Sequence, residues 1–305
     1  MGCGVARSFF ETIEQRTDFA ACLRRRRVPV RYIYAGSGVE IHRRLATQYP
    51  AEYDDGRAEH EIHTVAGIAH LGALPTQVCD IGVSNAMHSI RFVAPYRHLI
   101  PGLEQFLGID CSASLLSVAA DRMRAAGIRG CDFGVWNIEG GPASVISGWR
   151  RPGPVLTCLL GSTLGNVEDP VSVLMNISVS SRVDDLLVIG LFTAPPRSEV
   201  GRLIEEYSAP AVRDMAMEPL RAAGLDDSAM DFRVRWEGQS IVGEVKLKRA
   251  ADPLGVPLGP GTSITCFVSR RHDRDAALDR LRAARWRPVV DETSDRYLVV
   301  VARRV

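Results

Sequence analysis

The chain has 305 residues, of which 46% are apolar and 24% charged, a globular composition with ample material for a buried core, which excludes a disordered chain. Acidic and basic residues nearly cancel, 36 against 37, and a net charge of +1 argues against a nucleic-acid-binding surface spread over the whole molecule. The longest apolar run, Leu186 to Ala194, is about half of what a membrane-spanning helix needs, so no membrane partner is expected.

Glu11 and Glu14 stand where an export signal requires an apolar core, and Ala6 where myristoylation requires Ser or Thr, so the expected location is cytoplasmic. Seven cysteines are scattered without CxxC pairs or zinc spacing, which reads as reduced thiols and no metal site. A helix is predicted over residues 8–27, with Phe9, Ile13, Phe19 and Leu23 on one face and a solvated end at Arg24-Arg25-Arg26-Arg27. Val28 to Tyr34 is expected to be extended, and Ala35 to Gly38 a turn before an amphipathic stretch through Leu45.

From about residue 60 the texture changes. A helix around Ile62 to Leu71 precedes a strand at Gln77 to Ile81. Another strand, Phe106 to Asp110, leads to a helix capped by Ser112 or Ser114, with Leu115, Val118, Ala119 and Met123 at helical spacing. Strands follow at Cys131 to Phe133, Pro154 to Leu160 and Asp185 to Leu191. Apolar strands alternating with helices predict an α/β fold built on a parallel sheet. Between residues 200 and 272 a helix from Tyr207 to Ala223 precedes alternating runs at Phe232 to Trp236, Ile241 to Leu247 and Ser263 to Val268, the pattern of a half-exposed antiparallel sheet. A helix bearing Leu278, Leu281 and Ala284, then strands at 287–290 and 297–302, complete the prediction.

Ligands of open parallel sheets bind beyond the carboxyl ends of the strands, where strand order reverses. Asp80-Ile-Gly-Val-Ser84 leaves the first such strand, and its glycine suits either a tight turn or close backbone approach to a ligand. Asp110, ending the next strand, can accept from ribose hydroxyls; Asp132 can accept from an adenine amine while Phe133 flanks the ring. The phosphate-cradling G-x-x-x-x-G-K-[ST] and the strict G-x-G-x-x-G are both missing.

Asp80-Ile-Gly82, Gly108-Ile-Asp110-Cys-Ser112, Asp132-Phe133 and above all Gly161-Ser-Thr-Leu-Gly-Asn166 resemble S-adenosylmethionine-dependent methyltransferases of the histidine-specific type, the ergothioneine-pathway family. Tyr32-Ile-Tyr34-Ala-Gly-Ser37, Glu40 to Leu45, Tyr53 and Arg57-Ala-Glu59 are similar to that family's entry motif. The resemblance implies a Rossmann-like cofactor domain, residues 60–200 with 273–305, and a smaller α+β substrate lobe, residues 8–59 with 201–272. It implies S-adenosyl-L-methionine as cofactor, held by Gly82, Ser84, Asp110, Ser112, Asp132, Phe133 and Gly161. It places Tyr32, Tyr34, Tyr53, Asn166 and Tyr207 around a small-molecule substrate. Tyr34 and Glu168 are the candidate bases, although Glu168 serves equally well as a helix-start carboxylate.

The chain also departs from the family. Cys266 and Val268 stand where the family has an acidic residue and a serine that hold the substrate amine, which predicts an apolar pocket wall there. Ser84 replaces a loop glycine, and the family's cofactor-side lysine has no clear match near Asn85 to His88. The leading expectation is therefore methylation of an uncharged, nitrogen-bearing aromatic, an indole above all, as in bacterial indole C3-methyltransferases that form pyrroloindolines. An Nα-methyltransferase of histidine or another aromatic amino acid is the alternative. A nucleic-acid methyltransferase or a non-catalytic cofactor-binding protein comes last; Gly161-Ser-Thr replaces the Asn/Asp-Pro-Pro-aromatic motif that amino-methylating nucleic-acid enzymes carry.

Overall fold

The computed structural model describes residues 9–10, 12–36, 38, 56–72, 74–100 and 103–305. In chain order the strands are β1 (Gln77–Ile81), β2 (Gln105–Asp110), β3 (Cys131–Val135), β4 (Val155–Leu159), β5 (Leu186–Phe192), β6 (Met230–Glu237), β7 (Ser240–Leu247), β8 (Ser263–Arg270), β9 (Trp286–Ser294) and β10 (Tyr297–Arg304). The chain divides into two compact units, Met1–Gln48 with Pro196–Ser269 and Tyr49–Pro195 with Arg270–Val305. The helix Arg57–Ala66 lies whole within the second, so residues 57–59 belong with the large sheet and not with the substrate lobe expected to end at 59.

That second unit is built on a seven-stranded sheet in the order β3-β2-β1-β4-β5-β10-β9. Strands β1 to β5 run parallel, and β10 is antiparallel to both β5 and β9. Every residue of β1, β2 and β4 is buried, because helices cover both faces and leave no solvent side for polar residues. The strand period of two sorts them: Cys79, Ile81, Leu107, Ile109, Val155 and Leu159 pack against the helices Pro170–Val179 and Arg274–Ala283. Val78, Phe106, Leu156 and Cys158 pack on the opposite side, with the helices Arg57–Ala66, Met87–Leu99 and Ala113–Ala125. Strand order reverses between β1 and β4, which fixes where a ligand crevice opens.

In the first unit the sheet β6-β7-β8 and the helices Ile13–Arg24 and Pro210–Ala222 enclose a core of Phe19, Leu23, Ile33, Leu220, Val245 and Ile264, to which the helix Val200–Tyr207 contributes no buried residue. β6 and β7 form a hairpin whose turn residues, Gly238 and Gln239, both have positive φ, +52° and +63°, the geometry that matches strand twist. Two local expectations fail. Val30–Ile33 is a helical turn and not extended, because Pro29 presets the entry and Tyr32 and Ile33 turn into the core. The single helix expected from Tyr207 to Ala223 is two, because Pro210 has no N–H to continue the first.

Candidate functional site

The loop leaving β1 is shaped by three left-handed residues, Gly82, Ser84 and Ala86, at φ +82°, +50° and +62°. Such backbone is costly for residues with a side chain, and it concentrates where geometry matters more than stability. Here it turns N–H groups onto the end of β2. Gly82 and Val83 donate to the Ile109 carbonyl at 2.7 and 3.0 Å, and the Ser84 N–H donates to Asp110 Oδ2 at 3.0 Å. The Ser112 N–H reaches Asp110 Oδ1 at 2.9 Å, while Ser112 Oγ caps the helix Ala113–Ala125 by accepting from Leu115 N. Asp110 is buried among the described residues without an ion pair, and burial raises its pKa against the pull of those N–H bonds. Next to it in the sheet, Asp80 accepts from Ser89 Oγ at 2.5 Å, and burial lifts its pKa to about 6.

Across the reversal point, β4 runs into Gly161 and Ser162, both left-handed at φ +62° and +63°, and then into the short helix Thr163–Asn166. A Cβ on Gly82 would meet the Thr163 side chain at 3.1 Å, so the two loops touch and glycine permits the approach. Phe192 N donates to Ser162 Oγ at 3.2 Å, and the Arg270 guanidinium bonds the carbonyls of Val167 and Glu168. The Asn166 amide hydrogen-bonds no described residue and stays available. Glu168 is exposed, and the helix-start role expected of it belongs to Asp169, which accepts from Val171 N and Ser172 N. Gly82, Ser84, Asp110, Ser112 and Gly161 are therefore gathered at one end of the sheet.

Asp132 and Phe133 are not among them. They occupy the amino-terminal half of β3, where Asp132 pairs in register with Leu107, three residues before the level of Asp110. Asp132 accepts from Trp149 Nε1 at 3.0 Å, and the Phe133 ring fills the space over Gly108, where a Cβ would lie 2.8 Å from it. The residues that leave the carboxyl end of β3 are Trp136 and Asn137, with Trp136 N bonded to the Asp110 carbonyl at 3.0 Å. Asn137 is the polar group that the sequence reading missed. The strand continues through Gly134 and Val135, and counting to its end would have found it.

In the first unit the tyrosines part ways. Tyr32 is buried in the core, its hydroxyl 2.5 Å from Asp18 Oδ2 and 3.0 Å from the Gln15 carbonyl, so it is a packing residue with its polar end satisfied. Tyr53 lies outside the described residues. Tyr34 stands half-buried at the edge of the core. Tyr207 places its hydroxyl 3.1 Å from Ser269 Oγ and its ring 5.8 Å from Phe267, which in turn neighbours Phe232 at 6.3 Å. Cys266 does not form a pocket wall: it shares the core-facing side of β8 with Ile264, its thiol against the Ile264 carbonyl at 3.7 Å, and burial pushes its pKa up to about 12. Val268 is half-buried beside it. Phe267 and Ser269, which the sequence reading passed over, are the residues of β8 that meet Tyr207.

Among the described residues no group of three or more histidines, cysteines, aspartates or glutamates is placed to hold a metal ion, and no helix is long and apolar enough to cross a membrane.

No known protein family matches the sequence, and no curated protein does. Solved structures do match in shape. An S-adenosylmethionine-dependent methyltransferase from Clostridium acetobutylicum superposes with a TM-score of 0.52 at 9% identity, covering 86% of this chain and 98% of its own. Magnesium protoporphyrin IX methyltransferase from Synechocystis, with bound SAH, gives 0.50 at 13% identity and covers 90% and 98%. With the strand order, these likenesses establish the Rossmann-like fold of class I methyltransferases.

Proposed function

We propose that this protein is an S-adenosylmethionine-dependent methyltransferase acting on a small, nitrogen-bearing aromatic molecule. The observation that carries the reading is Asp110: a buried carboxylate at the carboxyl end of β2, beside the strand-order reversal, hydrogen-bonded by Ser84, Ser112 and Cys111 and paired with no described cation. A carboxylate acceptor without a cation suits a ribose diol, which donates two hydrogen bonds and brings no charge. The glycine-lined turn at Gly82 and the left-handed turn at Gly161 leave room for backbone to approach the rest of a nucleoside, and Asn137 stands where an adenine edge would lie. Ser84 and Ser112 act through their N–H groups, holding Asp110 in place.

When bound, the cofactor supplies a methyl group already activated by a positive sulfur. The chain must align a nucleophile with that methyl, exclude water and take up a proton where the nucleophile carries one. Asn166, with its amide unengaged, is suited to orient the substrate. Tyr207, Phe267 and Phe232 offer ring faces to an aromatic ligand. β8 contains no acidic residue, so that strand offers nothing to balance an ammonium; an amine that is acylated or cyclised, or an indole ring attacked at carbon, suits it better. Of the two candidates, Glu168 is exposed and as a carboxylate can take up a proton directly, whereas the half-buried Tyr34 phenol must pass its own proton on to do so. The reading extends to a cytoplasmic enzyme of specialised metabolism.

Incubation with isotopically labelled S-adenosylmethionine and a panel of histidine, tryptophan, tryptamine and tryptophan diketopiperazines, read by mass spectrometry, tests the proposal. Methyl transfer to the uncharged indoles is expected. Trimethylation of free histidine at its α-nitrogen would overturn the substrate class, and failure to bind S-adenosylhomocysteine would overturn the activity.

A further inference from the structure

The Gly161-Ser162 turn is held from below by a buried chain of polar groups that none of the motifs contains. The Gly161 N–H donates to the Tyr297 hydroxyl at 3.2 Å, and that hydroxyl donates to Glu61 Oε1 at 2.5 Å. The other carboxylate oxygen, Glu61 Oε2, lies 2.6 Å from His88 Nε2. Glu61 is fully buried and Tyr297 nearly so, whereas the His88 side chain is 22% exposed and connects the chain to solvent. Three separate elements supply these groups: the helix Arg57–Ala66, the helix Met87–Leu99 and the first residue of β10. Space for them is made at Gly190 of β5, where a Cβ would lie 1.8 Å from the Tyr297 hydroxyl and 2.7 Å from Glu61 Oε1. No side chain fits at 190 while that hydrogen bond exists.

We infer that Tyr297 and Glu61 are positioning residues of the cofactor site, a strut that fixes the Gly161-Ser162 turn and, through it, the loop after β1. The inference rests on the methyltransferase reading. The mechanical path is short: Tyr297 fixes Gly161 N, the turn passes through Ser162 to Thr163, and the Thr163 side chain lies against Gly82. Two successive left-handed residues are an unfavourable way to leave a strand, and their partners must hold them there. Ser162 receives Phe192 N on one side, and Tyr297 receives Gly161 N on the other. Without the Tyr297 hydroxyl the Gly161 N–H loses its partner, the turn relaxes, and the surface on which Gly82 rests moves with it. Glu61 keeps that hydroxyl aimed: its carboxylate accepts the hydroxyl hydrogen bond, which leaves the oxygen lone pairs for Gly161, while His88 lies against the other carboxylate oxygen and the Arg57 guanidinium sits 5.9 Å from the Tyr297 ring.

The test is calorimetric binding of S-adenosylhomocysteine to purified Tyr297→Phe, Glu61→Ala and Glu61→Gln proteins well below their unfolding temperatures, with kcat and KM for S-adenosylmethionine measured alongside. Tyr297→Phe keeps the ring and removes only the strut; a loss of affinity of about tenfold is expected, the usual worth of one buried hydrogen bond to a fixed partner. Glu61→Ala should lose at least as much, and Glu61→Gln, whose amide oxygen can still receive the hydroxyl proton, should recover most of it. A residue that served only overall stability would lower the melting temperature and leave the affinity of the folded protein unchanged. Affinities within about twofold of wild type in folded Tyr297→Phe and Glu61→Ala would therefore overturn the strut, since a change that small is below a single hydrogen bond's worth. A wild-type protein that binds no S-adenosylhomocysteine at all would overturn the reading beneath it instead.

Discussion

Asp110 and Asp185 are both buried carboxylates of the same sheet, at opposite ends, and they are built differently. Asp185, just before β5, takes the Arg150 guanidinium as a fork at 2.7 and 2.8 Å, and its oxygens also accept from Val155 N at 2.9 Å and Arg182 N at 2.8 Å. Its lone pairs and its charge are both answered inside the protein. Asp110 is hydrogen-bonded by Ser84, Ser112 and Cys111 but has no described cation, and desolvation raises its pKa. A carboxylate whose charge is answered by a guanidinium clamps the fold, whereas one with no described cation is equipped to receive a ligand. The backbone does not share this contrast: Ser84, Ala86 and Ser162 are left-handed at the Asp110 end, and Asp184, directly before Asp185, is left-handed at φ +75°.

That contrast can be broken in four places. Asp185→Ala strands Arg150, itself only 2% exposed, and should cost about 3–5 kcal/mol of stability in a denaturant titration, the penalty for a half-removed buried pair. A cost below about 1 kcal/mol would mean that the pair is a surface-like bridge and the contrast is false.

Asp80 sharpens the ligand end. Its pKa of about 6 lies above the unfolded value, so the folded state binds the proton more tightly, and its contribution is full at low pH and lost as pH rises through about 6. His272, held down to about 4 by burial and then by Arg280, works the other way, its contribution growing as pH rises from about 4 toward 6.5. The stability of the wild-type protein minus that of Asp80→Asn should accordingly be greater at pH 4 than at pH 7 by on the order of 2 kcal/mol. The corresponding difference for His272→Gln should have the opposite slope. Parallel pH curves for wild type and Asp80→Asn would show that Asp80 titrates normally.

Asp110→Ala should weaken S-adenosylhomocysteine binding to the folded protein by about 1–3 kcal/mol in calorimetry. Unchanged affinity in a folded protein would remove the central assignment. The smallest effect is expected from Ser84→Gly, which relieves a left-handed serine and should raise stability by about 0.5–1 kcal/mol with affinity retained. A clear drop in affinity would show that the Ser84 side chain, and not only its N–H, meets the ligand.

The ligand end was legible in the sequence where chemistry and strand end coincide. Gly82, Asp110 and Ser112 follow short apolar runs directly, and local pattern locates them. Asp132 misled because an Asp-Phe pair was matched as a motif, while the physical criterion, the carboxyl end of the strand, lies further along at Trp136 and Asn137. Cys266 misled for a related reason: its place in a motif said nothing about which side of β8 faces the core. The Tyr297–Glu61 contact was out of reach altogether, since 236 residues separate its ends and only tertiary packing of the helix Arg57–Ala66 against β10 joins them.

The pairing of β10 with β5 has a consequence for the order of assembly. The turn after β4 receives a tether from β10, which inserts antiparallel beside β5 and brings Tyr297 over Gly190. Contacts so distant in sequence form late, because the loop-closure entropy must be met before the contact returns anything. β1, β2 and β4 can associate with their helices earlier, but the crevice reaches its working shape only when the last strand docks. Cofactor-binding competence should thus be among the final properties the chain acquires as it folds, and among the first surrendered when that edge of the sheet opens.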